Sequence, residues 1–216
     1  MTNNRDRIAV LMGGWTSEAA VSRVTASFCG QAARNAGWDA IEVEVDRDIA
    51  AKLKEINPSR AFNALHGQIG EDGNIQGLLN IMNIPYTHSG LNASAIAMDK
   101  LLAKTLMAGA GIMVPPTLAL TEDSHVYPED RLGAHVITPR NAGSSFGVVI
   151  VPDNETRPPA RNIWPANSQL ICEPYIPGRE LTVAVLDGTA LCVTEITSER
   201  EFYDFDAKYA CFLENW

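Results

Sequence analysis

Residues Val136 to Val148 read VITPRNAGSSFGV, and Val149-Ile150-Val151 follow directly. Apolar and β-branched residues run into a proline, then into a Gly-Ser-Ser turn, then into a second apolar run. The pattern predicts strand, tight turn, strand, a flap-like hairpin. Backbone N–H groups and two hydroxyls at its tip can hydrogen-bond phosphate oxygens, and glycines let the chain approach closely. It is not a GxxxxGK[ST] loop, because no lysine follows the last glycine and no helix opens there. Taken alone, an ordinary hairpin turn is the simpler reading, since Gly and Ser are common turn residues. The rest of the chain reverses that preference.

Length and charge set the frame around this hairpin. A chain of 216 residues makes one large domain or two small ones. Its hydrophobic content of 46% and charged content of 20% are those of a folded soluble protein. A net charge of −9 and a pI near 4.9 argue against duplex nucleic acid or an anionic membrane surface as the main partner. A nucleotide needs only a local positive site. No apolar run is long enough to span a bilayer, and the start MTNNRDRIAVLMGG carries no small-residue cleavage pattern. Cys29, Cys172, Cys192 and Cys211 show no CxxC spacing and read as free thiols in a reducing compartment. The expected location is the cytoplasm.

Upstream of the hairpin the periodicity is that of an α/β domain. Arg7 to Met12 reads as a buried strand ending at Gly13-Gly14. Ser17 to Ala36 is helix-compatible, with Val21, Val24, Phe28 and Ala32 on one stripe, and Gly37 closes it. Asp39 to Val45 is a second strand, Asp46 to Glu55 a polar helix, and Ala61 to Leu65 a third strand before His66-Gly67. This β–α–β–α–β order predicts a parallel sheet with helices on its faces. Ligands of such sheets sit at the carboxyl ends of strands, where Gly13-Gly14 and His66-Gly67 fall. A Gly- and acid-rich loop (Gln68 to Gly73), a helix (Asn74 to Met82), an extended piece (Ile84 to Tyr86) and one long helix (Asn92 to Ala110) follow. Val114-Pro115-Pro116 cannot continue a helix and reads as a linker. Beyond it come short strands at Thr117 to Leu120, His135 to Thr138, Val148 to Val151 and Gln169 to Cys172, with a Pro- and Asn-rich loop at Arg157 to Asn167. Glu180 to Leu186 and Ala190 to Ile196 flank Asp187-Gly188, a strong hairpin signal.

Singly, the polar residues have bland readings beside sharp ones. Glu18, in the first turn of the first helix, either complements the helix dipole or holds an ammonium group at a strand-end crevice. His66 is a solvated loop histidine or a substrate-orienting imidazole. Lys100 and Lys208 are surface cations or phosphate contacts, and Glu173 and Glu180 are surface acids or acceptors for an adenine amino group and a ribose hydroxyl. No cluster of carboxylates or histidines has metal-ligand spacing, and no Ser-His-Asp logic is readable.

In combination the segments are distinctive. GGWTSEAAVS (Gly13 to Ser22), ALHGQIGEDGNIQGLL (Ala64 to Leu79), PYTHSGLNASAIAMDK (Pro85 to Lys100), GSSFGV (Gly143 to Val148), EPYIPGRELTVAVL (Glu173 to Leu186) and FYDFDAKY (Phe202 to Tyr209) occur in this order. Together they closely resemble the D-alanine–D-alanine ligases of the ATP-grasp superfamily, over nearly the whole chain. The resemblance implies a parallel α/β N-terminal domain (1–98), a central ATP-grasp α+β subdomain (99–179) and an ATP-grasp C-terminal part (180–216), incomplete here. It implies a reaction in which ATP activates one D-alanine carboxylate as an acyl phosphate and the amine of a second D-alanine attacks it. It implies that Glu18 holds the first ammonium, that Ser144 and Tyr209 tie to Glu18 in a hydrogen-bonded triad, and that His66 orients substrate. A tyrosine at 209, where depsipeptide-forming relatives carry phenylalanine, favours an amine nucleophile. Lys100 and Lys208 would contact phosphates, and Gly143 and Ser145 would give loop hydrogen bonds. Glu173, Ile176 and Glu180 would line adenine and ribose, with Pro174 and Tyr175 at the hinge between them. Relatives pair through their first domains, which implies a homodimer.

Two departures from the family pattern stand out. Thr138-Pro139 replaces the usual Lys-Pro, and Ala142 replaces the usual glutamate before Gly-Ser-Ser. A threonine donates one hydrogen bond but no charge, a difference of about 1.5–3 kcal/mol where the contact is charge-assisted. The chain also stops at Trp216, seven residues after Tyr209, without the family's arginine and the Asp, Glu and Asn that hold two magnesium ions. The expectation from this is an impaired ligase with no metal ligands of its own. The alternatives are a non-catalytic nucleotide- or D-alanine-binding module, or a gene remnant.

Overall fold

The computed structural model describes residues 7–120, 133–155 and 159–197. The chain divides into two compact units, Met1–Ile112 and Met113–Trp216.

The first unit is built on a parallel sheet of order β2-β1-β3: β1 (Arg7–Gly13), β2 (Asp39–Val45) and β3 (Arg60–Asn63). Alternation along β1 sorts its side chains to two faces. Ile8 and Val10 join Ala26, Ala40 and Ala64 in one cluster, under α1 (Ala19–Asn35). Ala9 and Leu11 join Val43, Val45, Ile49, Leu53, Ile75 and Leu79 in the other, under α2 (Ile49–Ile56) and α3 (Asn74–Ile81). A central strand buried on both sides explains its unbroken apolar run. Tyr86 adds a parallel bridge to Ala61 at the β3 edge, where the brief extended piece was expected.

Three expectations change here. The face of α1 turned to the sheet is Ser22, Ala26 and Gly30, not the Val21–Val24–Phe28–Ala32 stripe; Phe28 is 59% exposed. Small residues at four-residue spacing let helix and sheet backbones approach, and a Cβ on Gly30 would meet Glu42 Oε1 at 2.8 Å. The third strand ends at Asn63, two residues early, because the Asn63 side chain accepts from Leu65 N–H and turns the chain out of the sheet. The single helix expected over Asn92 to Ala110 is two, α4 (Leu91–Met98) and α5 (Lys100–Gly109). Asp99 breaks it: its backbone is extended and its carboxylate accepts from the N–H groups of Leu101 and Leu102, capping a new helix. At the far end of α1 the prediction holds. Gly37 N donates to Arg34 O and Trp38 N to Ala33 O, a Schellman closure around a left-handed glycine.

The second unit contains an antiparallel sheet of order β4-β7-β5-β6: β4 (Leu118–Leu120), β5 (His135–Pro139), β6 (Val149–Val151) and β7 (Leu170–Pro174). Ile137, Val151, Trp164, Leu170 and Cys172 form its core, and burial pushes the Cys172 thiol up. A separate hairpin pairs β8 (Glu180–Leu186) with β9 (Thr189–Ile196). Asp187 and Gly188 both have positive φ, as a two-residue type I′ turn requires. β5 and β6 do pair, but the connection between them runs from 140 to 148, longer than the tight turn expected. Among the described residues, no helix is long and apolar enough to cross a membrane.

Candidate functional site

In the first unit the polar residues gather where β1 and β3 end. Ser22, fully buried, stitches the two ends together: its Oγ accepts from Gly13 N–H (2.9 Å) and donates to Ala64 O (2.8 Å). Gly13 and Gly14 both take positive φ, so the chain can reverse tightly before α1. Glu18 occupies the position just before that helix, only 7% exposed. Its side chain makes no capping hydrogen bond to the helix. It lies instead against Gly67, where an added Cβ would sit 2.0 Å from Glu18 Oε2. Gly67 has φ +67° and so needs glycine on two counts.

His66 precedes that glycine and is half-buried. Its Nε2 lies 3.0 Å from Thr25 Oγ1 on α1. The loop after it is bolted down from several sides. Gly67 N–H donates to Glu71 Oε2 (2.7 Å), and Gly70 O accepts from both Asn63 Nδ2 (2.8 Å) and Gln76 Nε2 (2.7 Å). Ile69 is held at φ 77°, unfavourable for a β-branched side chain, within this network. Beside the loop after β1, Arg47 stacks over Trp15 at 4.7 Å. Lys100 opens α5; burial pushes its ammonium down, and the Asp99 carboxylate opposes this. Lys104, one turn on, is also lowered, by burial and then by Lys100.

In the second unit the 140–148 connection carries Gly143, Ser144 and Ser145. The two serines are consecutive left-handed residues, at φ 52° and 59°. Nothing lies within 4 Å of a Cβ added at Gly143, so the loop is open there. Its far end is fixed: the buried Trp164 donates from Nε1 to Gly147 O at 2.6 Å. Thr138 is buried in β5. Glu173, on β7, accepts from Thr117 Oγ1 at 2.6 Å. Tyr175 and Ile176 follow it with exposed side chains, and Tyr175 N donates to Ala134 O. Glu180 is exposed at the start of β8. Lys208 and Tyr209 lie outside the described residues.

Glu18 and His66 are therefore brought near one another past the ends of β1 and β3, and Glu173, Tyr175 and Ile176 lie on one stretch of chain. Sequence reasoning missed Thr25, Glu71 and Trp164. Thr25 and Glu71 gave no signal of their own, one being a mid-helix hydroxyl and the other a loop acid. Trp164, a lone aromatic in a Pro- and Asn-rich segment, could have been suspected of anchoring it. Among the described residues, no group of three or more His, Cys, Asp or Glu could hold a metal ion.

Residues 39–89 match the family profile "D-ala D-ala ligase N-terminus" and residues 106–215 match "D-ala D-ala ligase C-terminus". A D-alanine–D-alanine ligase of Agrobacterium fabrum is 47% identical over 207 residues, covering 94% of this chain and 67% of that protein. The crystal structure of the D-alanine–D-alanine ligase from Bacillus anthracis superimposes with a TM-score of 0.77 at 32% identity, covering 93% of this chain and 67% of that one. The same enzyme complexed with ATP gives 0.75 at 30% identity, with 91% and 68% covered.

Proposed function

The chain belongs to the D-alanine–D-alanine ligase family, of ATP-grasp fold, and from that premise we propose how its residues serve ATP-dependent joining of two D-alanines. The observation that carries the reading is the Glu18 carboxylate, nearly buried against Gly67 beside His66, at the carboxyl ends of β1 and β3. A carboxylate kept from solvent in an α/β crevice suits a small ammonium ligand. Glu18 holds the ammonium of the first D-alanine and His66 helps orient it. The terminal phosphoryl group of ATP passes to the D-alanine carboxylate, giving an acyl phosphate and ADP. The amine of the second D-alanine attacks that carbonyl and phosphate leaves.

The remaining roles are assigned by motif. Lys100 and Lys208 counter phosphate charge, and Gly143 and Ser145 offer hydrogen bonds from the open 140–148 loop. Thr138 contributes a neutral contact where relatives carry lysine. Glu173, Tyr175, Ile176 and Glu180 receive adenine and ribose, and Ser144 and Tyr209 carry the family's remaining catalytic roles. We read 1–98, 99–179 and 180–216 as the family's three parts. The setting we propose is peptidoglycan precursor synthesis in the cytoplasm, with magnesium accompanying ATP and two copies pairing through the first part.

The test is D-alanine binding by calorimetry, with phosphate release from ATP and D-alanine followed in parallel. Glu18→Gln removes the charge and keeps the shape, and is expected to weaken D-alanine binding by about ten- to a hundredfold. Equal affinity in wild type and variant would remove Glu18 from the reading. Failure of the wild-type chain to bind either D-alanine or nucleotide would overturn the function as a whole.

A further inference from the structure

The contact between His66 and α1 fixes more than the ring's position. A threonine hydroxyl has one proton to donate and lone pairs to accept with. Thr25 Oγ1 lies 3.1 Å from Val21 O, one helical turn back, and donates to it. This back-bond is ordinary for a helical threonine. The same Oγ1 lies 3.0 Å from His66 Nε2. With its proton committed to a carbonyl that can only accept, the hydroxyl can only accept from the ring. Nε2 must then carry the hydrogen. The reverse arrangement, with the threonine donating to a bare Nε2, would leave two oxygens facing each other at 3.1 Å with no proton between them.

A neutral imidazole has one N–H, so Nδ1 is bare. Among the described residues, Nδ1 has no hydrogen-bond partner. His66 adjoins Gly67, against which the Glu18 carboxylate rests. We propose that Thr25 is a positioning residue that holds neutral His66 in its Nε2–H form, leaving Nδ1 as an acceptor that shares the D-alanine ammonium with Glu18. An ammonium has three N–H donors, more than one carboxylate oxygen satisfies, and a bare ring nitrogen is a neutral second acceptor. Naming D-alanine as the ligand rests on the ligase reading above; the tautomer rests on the two Thr25 distances alone.

The experiment is 15N–1H correlation of the histidine rings in the whole chain. It is run at about pH 8.5 and reads which of the two ring nitrogens carries hydrogen. His66 is assigned by its absence in His66→Gln. The wild-type ring is expected to show a protonated Nε2 and a bare Nδ1. Thr25→Val keeps the side-chain shape and removes the acceptor, so the ring shifts toward a mixture, its Nε2–H preference falling by roughly two- to tenfold. Thr25→Ser restores the wild-type pattern. A wild-type ring protonated at Nδ1 overturns the proposal, and so does a Thr25→Val ring with an unchanged tautomer ratio. Should Thr25→Val fail to fold, the wild-type and Thr25→Ser spectra still decide. Adding D-alanine separates the two layers. If Nδ1 shifts, the ligand assignment holds. If it does not while the tautomer is as stated, D-alanine is the wrong ligand and Thr25 keeps its role.

Discussion

At the scale of single residues, the first unit takes ionisable side chains out of solvent near the ends of its strands and at the start of α5. Glu18 is nearly enclosed, and Lys100 is half-buried with its ammonium pushed down by desolvation against the opposing pull of Asp99. The sign of the linkage follows. A lysine whose folded value lies below its unfolded one binds fewer protons folded than unfolded between the two values. Stability contributed by this group therefore rises with pH across that window. If phosphate comes to rest against Lys100, the anion raises the ammonium back toward its ordinary value. Nucleotide binding at about pH 9.5 is then expected to take up a proton, seen as a calorimetric enthalpy that varies with buffer ionisation. Lys100→Met should abolish the variation. Binding with no proton uptake in the wild-type chain would place the phosphates elsewhere. The identities of Glu18, His66 and Lys100 as candidates were legible in the motifs. That Glu18 leans on Gly67, and that Thr25 governs the ring of His66, were not, because both depend on atoms from distant segments meeting.

At the scale of elements, the loops that carry the candidate residues are pinned by a few buried or part-buried hydrogen bonds. The loop after β3 hangs on Gly70 O, gripped by Asn63 and Gln76, and the 140–148 loop hangs on the Trp164 indole. Gly147 shows how tight that second joint is: at φ +68°, it already leaves an added Cβ only 3.0 Å from Trp164 Cδ1. Trp164→Phe keeps an aromatic ring in the core but orphans the Gly147 carbonyl. The loss from the hydrogen bond is expected to be about 1–3 kcal/mol, with the volume change adding to it. Hydrogen exchange should show the cost in β5, β6 and β7, with β1 to β3 unchanged. Equal protection in wild type and variant would mean that the indole does not anchor the loop. Periodicity placed nearly every strand here. It failed over Asn92 to Ala110, where an unbroken helical pattern conceals the Asp99 break, and on α1, where apolar spacing pointed to Phe28 and packing chose Ser22, Ala26 and Gly30.

At the scale of the molecule, the two units have separate cores. Every residue of the clusters above and below the parallel sheet comes from positions 8 to 86, and the cluster under the antiparallel sheet comes from 120 to 172. Residues 1–112 expressed alone should therefore melt cooperatively and keep the near-ultraviolet signal of Trp38, which packs against that first core. A broad, non-cooperative melt would show that the first unit depends on the rest of the chain. The sequence by itself determined the layering, the parallel sense of the first sheet and the family, because alternation, helical period and glycine-marked turns are local and additive along the chain; the order β2-β1-β3 came from the tertiary structure. Only the tertiary structure decided which face of α1 is buried, where α4 gives way to α5, and which hydroxyl faces His66. Those outcomes depend on backbone approach and on the single proton of a threonine, which no local pattern encodes.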